Sequence, residues 1–198
     1  MSGETPSEPA PSTNPVFTIG HSTRSIAAFT ALLAEAEIAL CVDVRSIPRS
    51  RTNPQFNTEV LPESLAAMGI GYRHLRALGG RRGRPDNCAP SPNGLWRIAA
   101  FRNYADYAMT APFRAGLDEL LTLARERRCA IMCAEAVWWR CHRRIITDYL
   151  LAAGLSVAHI MAPHDIEPAQ PTAGVERAQG GVLIYPPASG AGQGVLDL

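Results

Sequence analysis

The chain has 198 residues, a formal net charge of +1 at pH 7, and 46% hydrophobic residues. These values suit a globular domain with some additional tail, and they exclude a chain that is disordered throughout or one that is drawn by bulk charge to DNA or anionic lipid. All 19 basic residues are arginines. Because guanidinium groups bind phosphate and carboxylate through paired hydrogen bonds, a local arginine cluster has chemical consequences even in a nearly neutral chain.

In chain order, the first half predicts a strand, a helix, a strand, a helix and a weaker strand. These elements lie at residues 16–19, 25–33, 38–44, 58–68 and 72–75. Ser25 is a suitable N-cap for the first helix, and Pro48 prevents the second strand from continuing.

A long irregular stretch from residue 76 to residue 93 separates the two halves. The second half predicts two helices, a strand, a helix and a last strand. These elements lie at residues 95–109, 112–127, 129–133, 140–153 and 156–160. The β-α-β-α-β-α-α-β-α-β order predicts a three-layer α/β sandwich, in which a mostly parallel sheet carries helices on both faces.

The two ends differ in composition from this α/β domain, which we place at residues 15–161. Residues 1–14 predict a disordered leader. Residues 162–198 are rich in Pro, Gly and Ala and predict a flexible C-terminal extension, interrupted by one apolar run at residues 182–185 that could pair with a sheet edge.

Cysteine usage and apolar runs bear on where the protein works. The five cysteines make an odd count, and Cys41, Cys129 and Cys133 lie in or beside apolar runs, as buried free thiols do. The first fifteen residues lack the features of a secretory signal, and no stretch reaches the roughly 18 apolar residues of a membrane helix. We therefore expect a cytoplasmic protein with reduced thiols and no membrane partner.

Ligands of parallel α/β sheets bind beyond the carboxyl ends of the strands. The first such end carries Gly20, His21 and Ser22 and opens a helix, whose free N–H groups favour an anion. His21 could act as acid, base or hydrogen-bond donor. Alternatively, Ser22 or Ser25 caps the helix and His21 is a polar loop residue.

The second strand ends in an arginine-rich loop that contains Asp43, Arg45 and Arg49. Eight arginines and only two glutamates occur from residue 45 to residue 84. This loop fits a phosphate or a carboxylate. The alternative is a solvated loop with a structural pair between Asp43 and Arg45. Gln55 and Phe56 follow, and they could contact a base or a sugar or merely form turns.

The densest group of reactive residue types joins the fourth strand to the following helix. It comprises Cys133, Glu135, Arg140, Cys141, His142 and Arg143. Nearby arginines would activate a thiol, and Glu135 could act as a nucleophile or base. The alternative is that both cysteines pack in the core. A metal site is a further alternative, because Cys133, Cys141 and His142 are all zinc-ligand types. The C-x7-C-H spacing lacks the short pairing of strong zinc signals, so the sequence predicts no metal and no cofactor.

Several ordered motifs together resemble the family called domain of unknown function 488. They are Thr18–Ser22, Val42–Ser50, Asn53–Phe56, Tyr72–Gly80, and Cys133–Glu135 with Cys141–Arg143. The resemblance spans residues 16 to 161. It implies a three-layer α/β fold and a role related to nucleotides or nucleic acid, without a defined activity.

A fainter similarity connects the chain to rhodanese-like domains. Asp43-Val44-Arg45 after a strand is similar to their early motif, and a strand that ends in Cys133 before an arginine-bearing helix is similar to their thiol loop. This similarity implies thiol chemistry at Cys133, although the loop here is longer than theirs.

Three functions therefore remain open. The first is an enzyme for a small phosphorylated or nucleotide-like anion, in which Arg45, Arg49 and Arg143 hold the anion and His21 and Glu135 do acid–base or nucleophilic work, as in N-glycosidic cleavage. In that case Phe56 or Trp139 could stack on a ring. The second is a non-catalytic module that binds nucleic acid or a nucleotide. The third is thiol chemistry at Cys133. The sequence leaves the oligomeric state open.

Overall fold

A computed structural model describes residues 14–83 and 89–188. The predicted leader, apart from Asn14, lies outside the described residues, as does the end of the predicted extension from residue 189 onward.

A six-stranded sheet forms the middle layer. Its strands are β1 (Val16–Gly20), β2 (Leu40–Asp43), β3 (Gly71–His74), β4 (Cys129–Cys133), β5 (Val157–Ala162) and β6 (Asp165–Pro168). They are ordered β3-β2-β4-β1-β5-β6, and only β6 runs antiparallel to its neighbour. The carboxyl ends of the five parallel strands therefore share one edge, where the sequence places its candidate site.

Helices cover both faces of the sheet. They are α1 (Ile26–Glu35), α2 (Leu61–Ala66), α3 (Ala99–Ala108), α4 (Ala111–Glu126) and α5 (Arg143–Ala152). The Ser25 side chain caps α1 by accepting a hydrogen bond from the Ala28 amide at 3.2 Å. Helices α1 and α2 contribute to one apolar cluster, and α3, α4 and α5 contribute to the other. This arrangement confirms the predicted three-layer α/β fold.

The side chains of β4 alternate between the two faces of the sheet, and this alternation decides which of them lie at the site. Ala130 and Met132 point toward α1 and α2, whereas Cys129, Ile131 and Cys133 belong to the cluster beneath α3, α4 and α5. Because Cys133 is the last residue of β4, its thiol lies on the α5 side at the carboxyl edge of the sheet.

The structure differs from the expected flexible extension over residues 165–188. Strand β6 pairs with β5, and β7 (Glu176–Arg177) pairs with β8 (Leu183–Ile184) in a two-stranded sheet. Tyr185 is fully buried and donates its hydroxyl to Asp148 at 2.9 Å. The apolar run at residues 182–185 thus anchors this segment to the domain, and the glycines serve turns within it.

Across the described part of the chain, we find no helix that combines the length and the apolarity needed to cross a bilayer.

Candidate functional site

A cavity of about 580 Å³ lies at the carboxyl ends of β1, β2 and β4. Nine of the residues singled out in the sequence line it: His21, Ser22, Arg45, Arg49, Cys133, Glu135, Arg140, Cys141 and His142. Four others do not line it: Asp43, Gln55, Phe56 and Arg143. Segments far apart in the chain therefore meet in one concave site, as the strand-end rule predicts.

The turn after β1 is fastened to the loop after β4. The amides of His21 and Ser22 donate to the carbonyls of Cys133 and Ala134, each at 2.9 Å. A Cβ atom on Gly20 would lie 1.9 Å from the carbonyl oxygen of Glu135, so only glycine permits this approach of the two backbones. The loop that carries Glu135 is positioned by these contacts.

Arg45 is held by buried partners. Its Nε and Nη2 donate to the carboxylate of Asp43, at 2.9 and 2.6 Å to the nearest oxygens, and Nη2 also donates to the carbonyl of Phe56 at 2.6 Å. Nη1 lies 3.2 Å from Nε2 of His21. These contacts use all N–H groups of Arg45 except one on Nη1, so this residue can offer a ligand at most one N–H.

His21 is a neutral hydrogen-bond acceptor in this arrangement. Its Nδ1 donates to the Ser22 carbonyl at 2.9 Å, which leaves Nε2 to accept from Arg45. Burial lowers the pKa of His21 to about 4, more than the Ser22 carbonyl raises it, and the charge of Arg45 lowers it further. The ring stacks on Phe56 at a centroid distance of 4.2 Å. His21 therefore orients Arg45.

Two residues that the sequence offered for base or sugar contact point inward. Gln55 donates its amide to the carbonyl of Arg24 at 3.0 Å, and Phe56 is fully buried beneath His21. Trp139 does not line the cavity, and its neighbour Trp138 stacks on the buried His159 at 4.4 Å. In this structure these side chains support the walls of the site.

Two thiols and an imidazole meet on the floor of the cavity. Nδ1 of His142 lies 3.5 Å from Sγ of Cys141 and 3.9 Å from Sγ of Cys133. The other ring nitrogen, Nε2, donates to the carbonyl of Val44 at 2.9 Å. A Cβ on Gly80 would come within 2.4 Å of Nδ1, so the backbone there closes tightly on the imidazole.

The two thiols have opposite electrostatic environments. Hydrogen bonding to Cys141, burial and the charge of that residue raise the pKa of Cys133 well above its ordinary value. Burial also raises the pKa of Cys141, but the hydrogen bond from Cys133 and the charges of His142 and Arg143 outweigh it and bring the pKa well below the ordinary value. Arg143 is buried and donates from Nε to the Cys141 sulfur at 3.3 Å. A negative charge at this pair therefore resides on Cys141.

Exposed arginines surround the mouth of the cavity. Arg49, Arg81 and Arg140 line it together with the exposed Glu135. Arg49 also forms an ion pair with the exposed Glu59. The lining thus combines several guanidinium groups with one carboxylate, an arrangement suited to an anionic ligand.

Some lining residues were not singled out in the sequence. They are Thr23, Arg81, Ala100, Phe101 and Tyr104. Arg81 belongs to the arginine-rich stretch that the sequence shows. Phe101 and Tyr104 lie on α3. The rule that ligands bind at the carboxyl ends of the strands does not predict that this helix lines the cavity.

Comparison with known proteins returned one family. A family model described as domain of unknown function DUF488 matches residues 25–150, well over half of the chain. Neither the curated proteins nor the solved structures contained a match. The matched residues include α1 to α4, all of α5 except its last two residues, and every cavity residue except those of the turn after β1.

Proposed function

The chain belongs to the DUF488 family, whose description assigns no activity, and from the chemistry of its cavity we propose that it is an enzyme acting on a small phosphorylated or nucleotide-like substrate. The observation that carries this proposal is that exposed arginines and an exposed carboxylate line the same cavity at the carboxyl edge of a parallel sheet.

The arginines of the mouth would hold the anionic group. Arg81 and Arg140 are exposed and have no ion-pair partner among the described residues. Their guanidinium groups can therefore form paired hydrogen bonds with a phosphate. Arg49 can join them by exchanging its exposed contact with Glu59, because an exposed ion pair contributes little. Arg45 would contribute its remaining N–H.

Glu135 is the group that would carry out the chemistry. It is exposed in the cavity, and the backbone contacts around Gly20 hold its loop in place. A carboxylate so placed can act as a nucleophile or as a base. Phe101, half-buried on α3, offers an aromatic surface for a base or sugar ring. N-glycosidic cleavage or transfer would use both features.

The other two functions receive less support. A nucleic-acid module needs arginines spread along an open face, whereas Arg81 and Arg140 line a cavity of about 580 Å³. Thiol chemistry at Cys133 needs an accessible thiolate, whereas this thiol is buried and its pKa is raised by Cys141 and by burial.

A thermal-shift panel tests the proposal. Nucleosides, nucleotides, sugar phosphates, thiosulfate and short oligonucleotides would be titrated against the purified protein. We expect one class of nucleotide or sugar phosphate to raise the melting temperature with concentration, because a ligand of the folded state stabilises it. The shift should shrink in Arg140→Gln and persist in Arg125→Gln, an exposed arginine of α4 that does not line the cavity. Equal shifts with every polyanion, or none, would contradict the proposal.

A further inference from the structure

We infer that Cys133, Cys141 and His142 form a transition-metal site, with zinc the best-fitting ion, whose open coordination position faces the cavity. The inference concerns the same cavity as the proposed function, but it stands on different contacts, since none of the mouth arginines takes part.

The imidazole nitrogen already lies at about the distance from each sulfur that a tetrahedral site requires. One Nδ1 and two Sγ atoms lie within 4.8 Å of one another, and the two Nδ1–Sγ distances are 3.5 and 3.9 Å. A tetrahedral zinc with ordinary bond lengths requires about 3.6 Å between sulfur and nitrogen and about 3.8 Å between two sulfurs. The two nitrogen–sulfur distances need to change by only a few tenths of an ångström, and the two sulfurs, at most 4.8 Å apart, would have to approach each other by up to about 1 Å.

The surroundings of the three ligands match those of metal sites. His142 donates Nε2–H to the carbonyl of Val44, which fixes the ring and directs the Nδ1 lone pair toward the sulfurs. Arg143 donates to the sulfur of Cys141 from behind. Two thiolates would also balance the charge of a divalent zinc ion, so the occupied site would be neutral where both cysteines are buried.

Three protein ligands leave a fourth position, as in catalytic zinc sites and unlike closed structural ones. All three ligands line the cavity together with Glu135, so this position lies where a substrate would enter. A metal there could bind a water molecule or polarise a phosphoryl or carbonyl oxygen of the ligand. Soft thiolate and imidazole donors select zinc over magnesium or calcium.

Cobalt substitution tests the site in the full-length protein. The chain would be stripped with a chelator under reducing conditions, titrated with Co²⁺, and followed by its visible and near-ultraviolet absorption. We expect saturation at about one ion per chain, with the intense visible bands of tetrahedral cobalt and a sulfur charge-transfer band. Added Zn²⁺ should displace the cobalt. A titration that yields only the weak spectrum of hydrated cobalt would overturn the inference.

Matched variants locate the ligands. Cys141→Ser should lose the tetrahedral spectrum. His142→Gln keeps an amide N–H for the Val44 carbonyl but removes Nδ1, so metal affinity should fall by at least about ten-fold. Cys129→Ser alters an equally buried thiol outside the site and should keep the spectrum. An unchanged spectrum in both Cys141→Ser and His142→Gln would place the metal elsewhere and overturn the inference.

Counting the free thiols of the wild-type protein tests the inference even if the variants do not fold. A disulfide between Cys133 and Cys141 in the wild-type protein, stable without a reductant and accompanied by no metal uptake after reduction, would also overturn the inference. Loss of metal binding together with retained nucleotide or sugar-phosphate binding would refute the metal site alone. Metal binding without any nucleotide or sugar-phosphate binding would refute only the proposed substrate class.

Discussion

Arg45 donates an Nη2 hydrogen to Asp43 at 2.6 Å, and the two side chains are only 5% and 0% exposed. Tyr72 adds a hydroxyl donor to the same carboxylate at 2.9 Å. Because removing Asp43 would leave a buried guanidinium without its counter-ion, we expect Asp43→Ala to lower the free energy of unfolding by about 3–5 kcal/mol. Urea denaturation measures this.

The exposed pair of Arg49 and Glu59 provides the control for that experiment. Both side chains of this pair are largely in solvent. Glu59→Ala should therefore cost less than about 1 kcal/mol. Equal costs for the two variants would show that the contact between Asp43 and Arg45 does not hold the loop after β2.

Gly20 should tolerate no side chain. The obstacle to a Cβ atom is the backbone carbonyl of Glu135, which cannot rotate away as a side chain would. We expect Gly20→Ala to destabilise the protein by about 1–3 kcal/mol and to weaken ligand binding by displacing the Glu135 loop. Gly83→Ala is the control, because a Cβ there meets open space. Indistinguishable melting temperatures for the two variants would contradict the close approach.

Stability should fall in mild acid because of buried histidines. Burial, with a smaller contribution from the charge of Arg143, lowers the pKa of His159 to about 4. The imidazole of His159 therefore takes up a proton near pH 6.5 in the unfolded chain and only near pH 4 in the folded chain. The stabilisation is complete above about pH 6.5 and is lost as the pH falls toward 4, by about 2 kcal/mol between about pH 7.5 and about pH 5. His21 should contribute in the same direction.

The acid effect can be assigned by substitution. His159→Asn places an amide near the Nδ1 that contacts the Thr18 hydroxyl at 2.8 Å, and it removes the titration. Denaturation at about pH 7.5 and about pH 5 should then show a smaller loss in the free energy of unfolding than in the wild type. His164→Asn changes an exposed histidine and should leave the loss unchanged. An equal loss in wild type and His159→Asn would remove His159 from the explanation.

Glu135→Gln should separate chemistry from binding. The substitution keeps the shape of the side chain but removes its charge and basicity. With a substrate of the class identified by the thermal-shift panel, we expect kcat to fall by at least about 100-fold while the dissociation constant changes little. Glu63→Gln, an exposed change on α2, should leave both unchanged. Full turnover in Glu135→Gln would exclude this carboxylate from the mechanism.

The sequence predicts the layers of the fold well because β1, β2 and β4 are short apolar runs buried on both faces. It also predicts which strand ends carry the site, since Gly20, Asp43 and Cys133 end neighbouring parallel strands. What each side chain then does depends on distant partners. Phe56 and Arg143 looked like ligand contacts, but the first packs on His21 and the second lies behind Cys141.

Contacts between segments that are far apart in the chain explain the other differences between the sequence-based predictions and the structure. Tyr104 enters the cavity from α3 because its ring packs on His142 at 5.0 Å, and no local pattern contains that contact. The spacing of Cys133 and Cys141 is unlike that of a short metal motif, but the intervening loop with its 3-10 turn at residues 138–140 folds back and returns the second thiol to the first. The described part of the Pro- and Gly-rich segment, residues 163–188, is anchored to the domain by Tyr185, whose buried partner Asp148 lies on α5.

The binding of pyrophosphate by isothermal titration calorimetry tests the central claim most directly. The comparison is between wild type, the double variant Arg81→Gln/Arg140→Gln, and the double variant Arg125→Gln/Arg127→Gln, which removes the same charge from exposed positions outside the cavity. We expect saturable binding in the wild type and the control, and a loss of at least about ten-fold in affinity when the cavity arginines are removed. Equal affinities in the two double variants would show that the cavity is not the anion site.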